Sequence, residues 1–272
     1  MADFLNHPAV QAGVVPFVLA LLIGAVLAPT RLLGLAQLAG FLAVVWLAFG
    51  FSFAPMTAVR KLVVAAAASG VALIVLEVAA AAGRARIRAL VLLLTAAASL
   101  WMLSRLIEQR AWSDTLLPAA ASALFVTAMV EAMLRASRDP FKGAAAGLSL
   151  GLGTGALALL GSSVVLAMGA IGVGAAAGAC LLVQMLRRRG TPPGTTISLP
   201  AALICAMTVT LVAWQRTLPW YCLLPLLATP FAASLAPARG HPLVRAVTAS
   251  TLALVPVLLS VGLALAAGRQ FP

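Results

Sequence analysis

A chain of 272 residues that is 63% hydrophobic and only 9% charged, with a mean hydropathy of +1.12, carries too little charge to coat a soluble globule. Such a surface takes about a quarter of the residues charged, so lipid has to be the solvent for most of the exterior, and the same composition excludes a disordered chain. The net charge of +12, from 18 Lys and Arg against 6 Asp and Glu, is scattered through nearly every connection and gathers on no single face. That pattern argues against nucleic acid and for basic loops held on the cytoplasmic side of a membrane.

The opening MADFLNHP carries Asp3 and no Lys or Arg, so the basic start of a cleaved signal is missing. The first apolar run, 9–28, is therefore read as a retained helix with Pro16 inside it. Further spans follow at 32–51, 62–82, 87–106 and 115–134, each of roughly 17–24 residues as about 30 Å of hydrocarbon demands. Ser113 or Asp114 is expected to start the fifth. In RASRDPFKG, Asp139 suits a helix N-cap and Pro140 the first turn after it.

The apolar stretch 143–185 is too long for one crossing, and Gly161-Ser162-Ser163 is the natural place for a tight turn, which divides it into 143–160 and 163–185. After Arg187, Arg188, Arg189 and TPPGTT come 197–213, 219–235 and 244–267. The fold class expected is an all-α polytopic membrane protein: about ten transmembrane helices in one bundle, short loops and no soluble domain. The whole of 1–272 is one helical domain. Ten spans would allow five-plus-five halves, 1–138 and 139–272, although no segments match between them.

Loop charge gives the orientation. With ten spans, twelve of the 18 Lys and Arg fall on one side and six on the other, whereas nine spans give a tie. The positive-inside rule then places both termini on the periplasmic face of a bacterial inner membrane. Trp112, Trp214, Trp220 and Tyr221 flank connections, as interfacial rings do. Trp46 and Trp101 lie deeper and are read as packing residues.

Gly143, Gly147, Gly151 and Gly155 recur every four residues, three overlapping GxxxG units on one face. Such stripes let helix backbones approach closely in lipid, so these four are expected to pack helices. GLGTG within them lacks the GKS or GKT ending and the preceding strand of a nucleotide loop. Thr154, Ser162 and Ser163 are read as hydroxyls that bond to backbone or, at the loop end, face a substrate. Glu77 and Glu131 fall inside spans, where an ionisable group is costly and by default a functional candidate. They are candidate transport or coupling residues, or else carboxylates paired with Arg84 and Arg135, the latter at i,i+4.

Cys180, Cys205 and Cys222 lie in three separate apolar runs with no CxxC or Cys/His spacing, and the two histidines, His7 and His241, are in loops. Neither a metal site nor haem ligation is expected, and no cofactor is implied. HExxH, GxSxG and paired aspartates are absent. The expectation is an integral membrane permease or flippase-like transporter and not an enzyme. The alternative is a non-catalytic membrane subunit or scaffold. The expected surroundings are the lipid bilayer, with other membrane subunits or a homo-oligomer as protein partners and no nucleic acid.

Overall fold

The computed structural model of the protein describes residues 7–50, 54–78, 84–186, 197–215 and 217–268. Among them every regular element is helical. A π-helical turn, Val10–Val14, leads into α1 (Val15–Leu27). It is followed by α2 (Gly34–Phe49), α3 (Ala58–Val78), α4 (Arg84–Glu108), α5 (Trp112–Ala136), α6 (Pro140–Leu160), α7 (Val164–Leu186) and α8 (Leu199–Trp214). Two 3-10 stretches, Trp220–Cys222 and Leu224–Ala228, precede the short α9 (Thr229–Ser234), and α10 is Pro242–Gly268. The Arg187–Arg189 loop expected from the sequence lies outside the described residues.

Among the described residues, seven helices are long and apolar enough to cross a membrane: α1 with its π turn, α3 to α7, and α10. The shorter apolar elements are α2, α8 and Trp220–Ser234, and each is short for a local reason. α2 ends at Gly50, whose φ of 66° suits glycine. Over 219–235, Pro219, Pro225 and Pro230 recur at intervals that no α-helix tolerates, since each removes a donor and its ring strikes the preceding turn. The chain answers with 3-10 turns and a short helix, placing Pro225 at the start of the second 3-10 stretch and Pro230 in the first turn of α9. α8 has 16 residues, about 24 Å against a hydrocarbon core of about 30 Å. All of them are buried, however, so its ends meet protein and not lipid.

α8 is the axis of the bundle and packs against α2, α3, α4, α5, α6 and α7. Cross-contacts sort the connections into two ends. At one, Arg88 and Arg135 hold Glu131, Arg245 Nη2 holds Asp139 at 2.7 Å, and Lys142 Nζ donates to the Ser234 carbonyl at 2.7 Å. We call this the basic end. At the far end Lys61 Nζ donates to the Trp101 carbonyl (3.0 Å) and Ser104 Oγ (2.7 Å), and Arg110 Nη2 to the Trp214 carbonyl (2.9 Å).

Several local readings shift. α5 starts at Trp112 after Ala111 as N-cap, so Asp114 sits within its first turn, where a carboxylate favours the helix dipole. Asp139 does cap α6, accepting from the Phe141 N–H at 3.0 Å. Trp46 is 64% exposed, one turn from the end of α2, while Trp214 is buried and its indole N–H bonds Ser122 Oγ at 2.8 Å. These two tryptophans exchange the roles expected of them.

The stretch 143–185 forms two antiparallel helices joined at Gly161, with Ser162 at φ 61° and the Ser163 N–H on the Ala158 carbonyl at 2.9 Å. Gly147, Gly151 and Gly155 of α6 face Ala177, Gly174 and Ile171 of α7, whereas Gly143 leaves that line and lies against Ser137 and Ile197. A Cβ on Gly151 would stand 2.4 Å from Gly174 Cα. On the opposite face Gly153 receives Val257 of α10, 2.6 Å from where its Cβ would be.

Because the atom it strikes is backbone, Gly151→Ala has no flexible neighbour to displace. We expect it to destabilise by about 1–3 kcal/mol, the cost of overpacking. Gly262→Ala, with nothing within 4 Å, is expected to be nearly neutral. Thermal unfolding in detergent compares them, and equal melting points would contradict the interface.

Candidate functional site

The polar side chains of the bundle concentrate where α4 and α5 meet at the basic end. Glu131 lies five residues before the end of α5 and is approached by two arginines. Arg88 Nε donates to Oε2 at 2.7 Å, Arg88 Nη2 donates to Oε1, and Arg135 Nε donates to Oε1 at 2.7 Å. The Arg135 contact is the i,i+4 pair. Arg88 comes from the neighbouring helix and makes the fork-on-fork contact that guanidinium and carboxylate planes favour. Side-chain exposure is 32% for Arg88, 23% for Glu131 and 62% for Arg135, so the group lies at the surface of the bundle and is not sealed inside it. Two guanidiniums share one carboxylate, leaving one positive charge in excess.

Nothing local in the sequence marks Arg88, which is 43 residues from Glu131. Its signal is that IRALVL turns apolar directly after it, placing a cation at the mouth of a span. Glu77, near the end of α3, has a partner of its own. The Arg84 side chain expected to meet it lies outside the described residues.

The hydroxyl candidates are not brought together. Thr154 is fully buried on α6 beside the Cys205 thiol of α8 and has no oxygen or nitrogen partner. Ser162 is exposed and Ser163 half-buried in the far-end turn, where their backbones do the bonding. Two further groups escape sequence reading. Gln37 on α2 and Gln184 on α7 are buried, and neither amide atom of either has a hydrogen-bond partner among the described residues. Gln37 Nε2 lies 3.8 Å from where a Gly147 Cβ would be. An amide alone in GLAQLAGFL or LLVQML was the available sign.

Two cavities flank these groups. One, of about 480 Å³, opens at the far end and is lined by Arg110, Asp114, Trp214, Trp220 and Ala267 among others. Arg110 stacks over the Trp214 ring at 5.2 Å there, closing the end of α8. The other is a lateral groove of about 240 Å³ between α3 and α4, walled by Ala65, Ala68 and Ala72 on one side and Val91, Leu94 and Ala98 on the other. Its floor is Leu199 and Leu203 of the axial helix. The two hydroxyls it contains are turned inward, Ser69 Oγ to the Ala66 carbonyl at 2.6 Å and Thr95 Oγ1 to the Val91 carbonyl at 2.7 Å, so the walls are effectively hydrocarbon. Alanines on α3 leave the volume that larger side chains would fill.

No family model, curated protein or solved structure matches this chain.

Arg88 makes two bonds to Glu131 and Arg135 makes one, and Arg135 is the more exposed. Arg88→Gln should therefore cost about 1–2 kcal/mol, the low part of the range for charged hydrogen bonds because both partners are partly solvated. Arg135→Gln should cost at most about half of that. Chemical denaturation of the two variants and of Glu131→Gln checks this. A larger loss for Arg135→Gln than for Arg88→Gln would contradict it.

Proposed function

We propose that the chain is a flippase-like permease of the bacterial inner membrane that handles lipid at the α3–α4 groove. The observation that carries this reading is the groove itself. It is open at the side of the bundle and floored by the central helix, and α4 brings Arg88 one turn beyond Val91 at its basic end. A lipid entering sideways would keep its chain in hydrocarbon while its headgroup reached the charged cluster. The reading requires no catalytic residue and no cofactor.

Ten crossings with both termini periplasmic belong to the same proposal. The segment 219–235 supports it: Trp220 lines the far-end cavity while the Ser234 carbonyl meets Lys142 at the basic end. The rise of a 3-10 helix, about 2.0 Å per residue against 1.5 Å, lends a short element that reach. α1 runs parallel to α7, with Ala12 near Gly172 and Gly24 near Val183, and α10 finishes beside Arg110. Both ends of the described chain thus lie at the far end, and the excess of basic residues at the other end supports a cytoplasmic position for that end under the positive-inside rule.

A second reading, a non-catalytic subunit or scaffold, draws on the filled centre: α8 is buried along its whole length and α6 and α7 are locked backbone to backbone. A partner subunit recovered in fixed stoichiometry from the native membrane would favour it.

The topology is checked by labelling single cysteines with an impermeant maleimide in intact cells. Positions 7 and 268 should label from the periplasm and position 138 only after permeabilisation. Opposite sidedness of 7 and 268 would contradict ten crossings. For the activity, the purified chain in phosphatidylcholine–phosphatidylglycerol vesicles is expected to speed dithionite quenching of inner-leaflet NBD-phospholipid. Ala68→Trp, which fills the groove, should return the rate to that of protein-free vesicles. A folded wild-type protein that does not exceed that background would overturn the proposal.

A further inference from the structure

We infer that the α3–α4 groove and the Arg88–Glu131–Arg135 cluster form one binding site for an anionic membrane lipid, whose phosphate lies on the two arginines and whose chain lies in the groove. This rests on the lipid-handling reading and names the class of lipid.

Three observations converge on it. The cluster is unbalanced, two guanidiniums on one carboxylate. Among the described residues, Arg88 Nη1 and both Nη atoms of Arg135 make no hydrogen bond, because Glu131 engages only Arg88 Nε and Nη2 and Arg135 Nε. An anion with several acceptor oxygens is what completes such a set, and guanidinium forks bind phosphate oxygens pairwise. Glu131 then has the role of holding Arg88 extended and presenting its free edge.

The register of α4 joins the cluster to the groove. Arg88 is three residues before Val91 and seven before Thr95, hence on the same face and one turn, about 5 Å, nearer the basic end. α4 begins at that end, so the order along the membrane normal is arginine, then Val91 with Ala72, then Ala98 with Ala65. This is the order of a lipid: charge at the interface, hydrocarbon inward. Both arginines also keep exposed surface, 32% for Arg88 and 62% for Arg135, so the cations are open to a ligand from outside the bundle.

Charge also selects among lipids. A zwitterionic headgroup brings its own ammonium to the excess arginine charge, whereas phosphatidylglycerol brings only the phosphate. Apolar walls with inward-turned hydroxyls offer no further polar contact to the chain, so discrimination falls to the cluster and occupancy to the groove.

The test is native mass spectrometry of the full chain, released from detergent with equimolar phosphatidylglycerol and phosphatidylcholine of identical chains. Wild type is expected to retain phosphatidylglycerol about fivefold over phosphatidylcholine, the factor that one interfacial cation supplies. Arg135→Gln, the milder of the two arginine losses for stability, should bring that ratio close to one without lowering phosphatidylcholine. Ala68→Trp should lower both lipids and leave their ratio unchanged. Equal retention by wild type, or a ratio unaltered in Arg135→Gln, would overturn the inference. If preference and variant effects appear while the vesicles show no flipping, transport fails and the site stands. Flipping with no headgroup preference gives the reverse.

Discussion

The contact on which this bundle depends is backbone on backbone: Gly151 of α6 against Gly174 of α7, so close that no Cβ fits between them. Inside a bilayer, helices gain little by burying leucine, because the lipid tails are equally apolar. What remains is close approach and the dispersion it allows. Small residues therefore repeat wherever the interior is tightest. Gly40 meets Ala176 and the Pro16 carbonyl, Gly172 meets Val44, and Gly153 meets Val257. Three helices, α1, α2 and α10, are thus seamed to the α6–α7 pair.

That tight half throws the other half into relief. Where α3 passes α4 the small residues are alanines facing a gap, not glycines facing backbone, and buried Leu199 and Leu203 of the axial helix close the gap from below. The interior also holds side-chain amides with no hydrogen-bond partner among the described residues, at Gln37 and Gln184. Buried polar groups are seldom left unpaired, so a sealed, purely structural core would be expected to hold apolar side chains at those positions. Rigid packing on one side and an apolar recess ending at a charged cluster on the other fit a protein that keeps its frame while lipid moves along its flank.

Much of this was legible in the chain. Composition dictates helices in lipid. The period of four in Gly143, Gly147, Gly151 and Gly155 announces a close interface, and Gly161-Ser162-Ser163 announces the turn that divides it. Asp139 reads as a cap because an N-cap is a local matter, settled within three residues. What resisted reading is what depends on a neighbour. Gly153 looks like an interruption of the stripe until α10 places Val257 over it. Arg135 is findable from Glu131 by helical spacing, while Arg88 is not, since only the packing of α4 on α5 brings it there. Trp214 resembles an interfacial ring in sequence and is buried because Ser122 and Arg110 converge on it from α5 and the turn before it. The groove itself is a property of two helices diverging, which no single segment encodes.

The central claim is that lipid occupies the recess between α3 and α4 in preference to the rest of the apolar surface. Photolabelling in native membranes addresses it directly, with a phosphatidylglycerol that bears a diazirine on its acyl chain and with the adducts mapped by mass spectrometry. The account predicts adducts concentrated on 65–72 and 91–98, above those on the more exposed apolar positions of α10 such as Val255, Leu258 and Leu259. Labelling spread evenly over α3, α4 and α10 would contradict it.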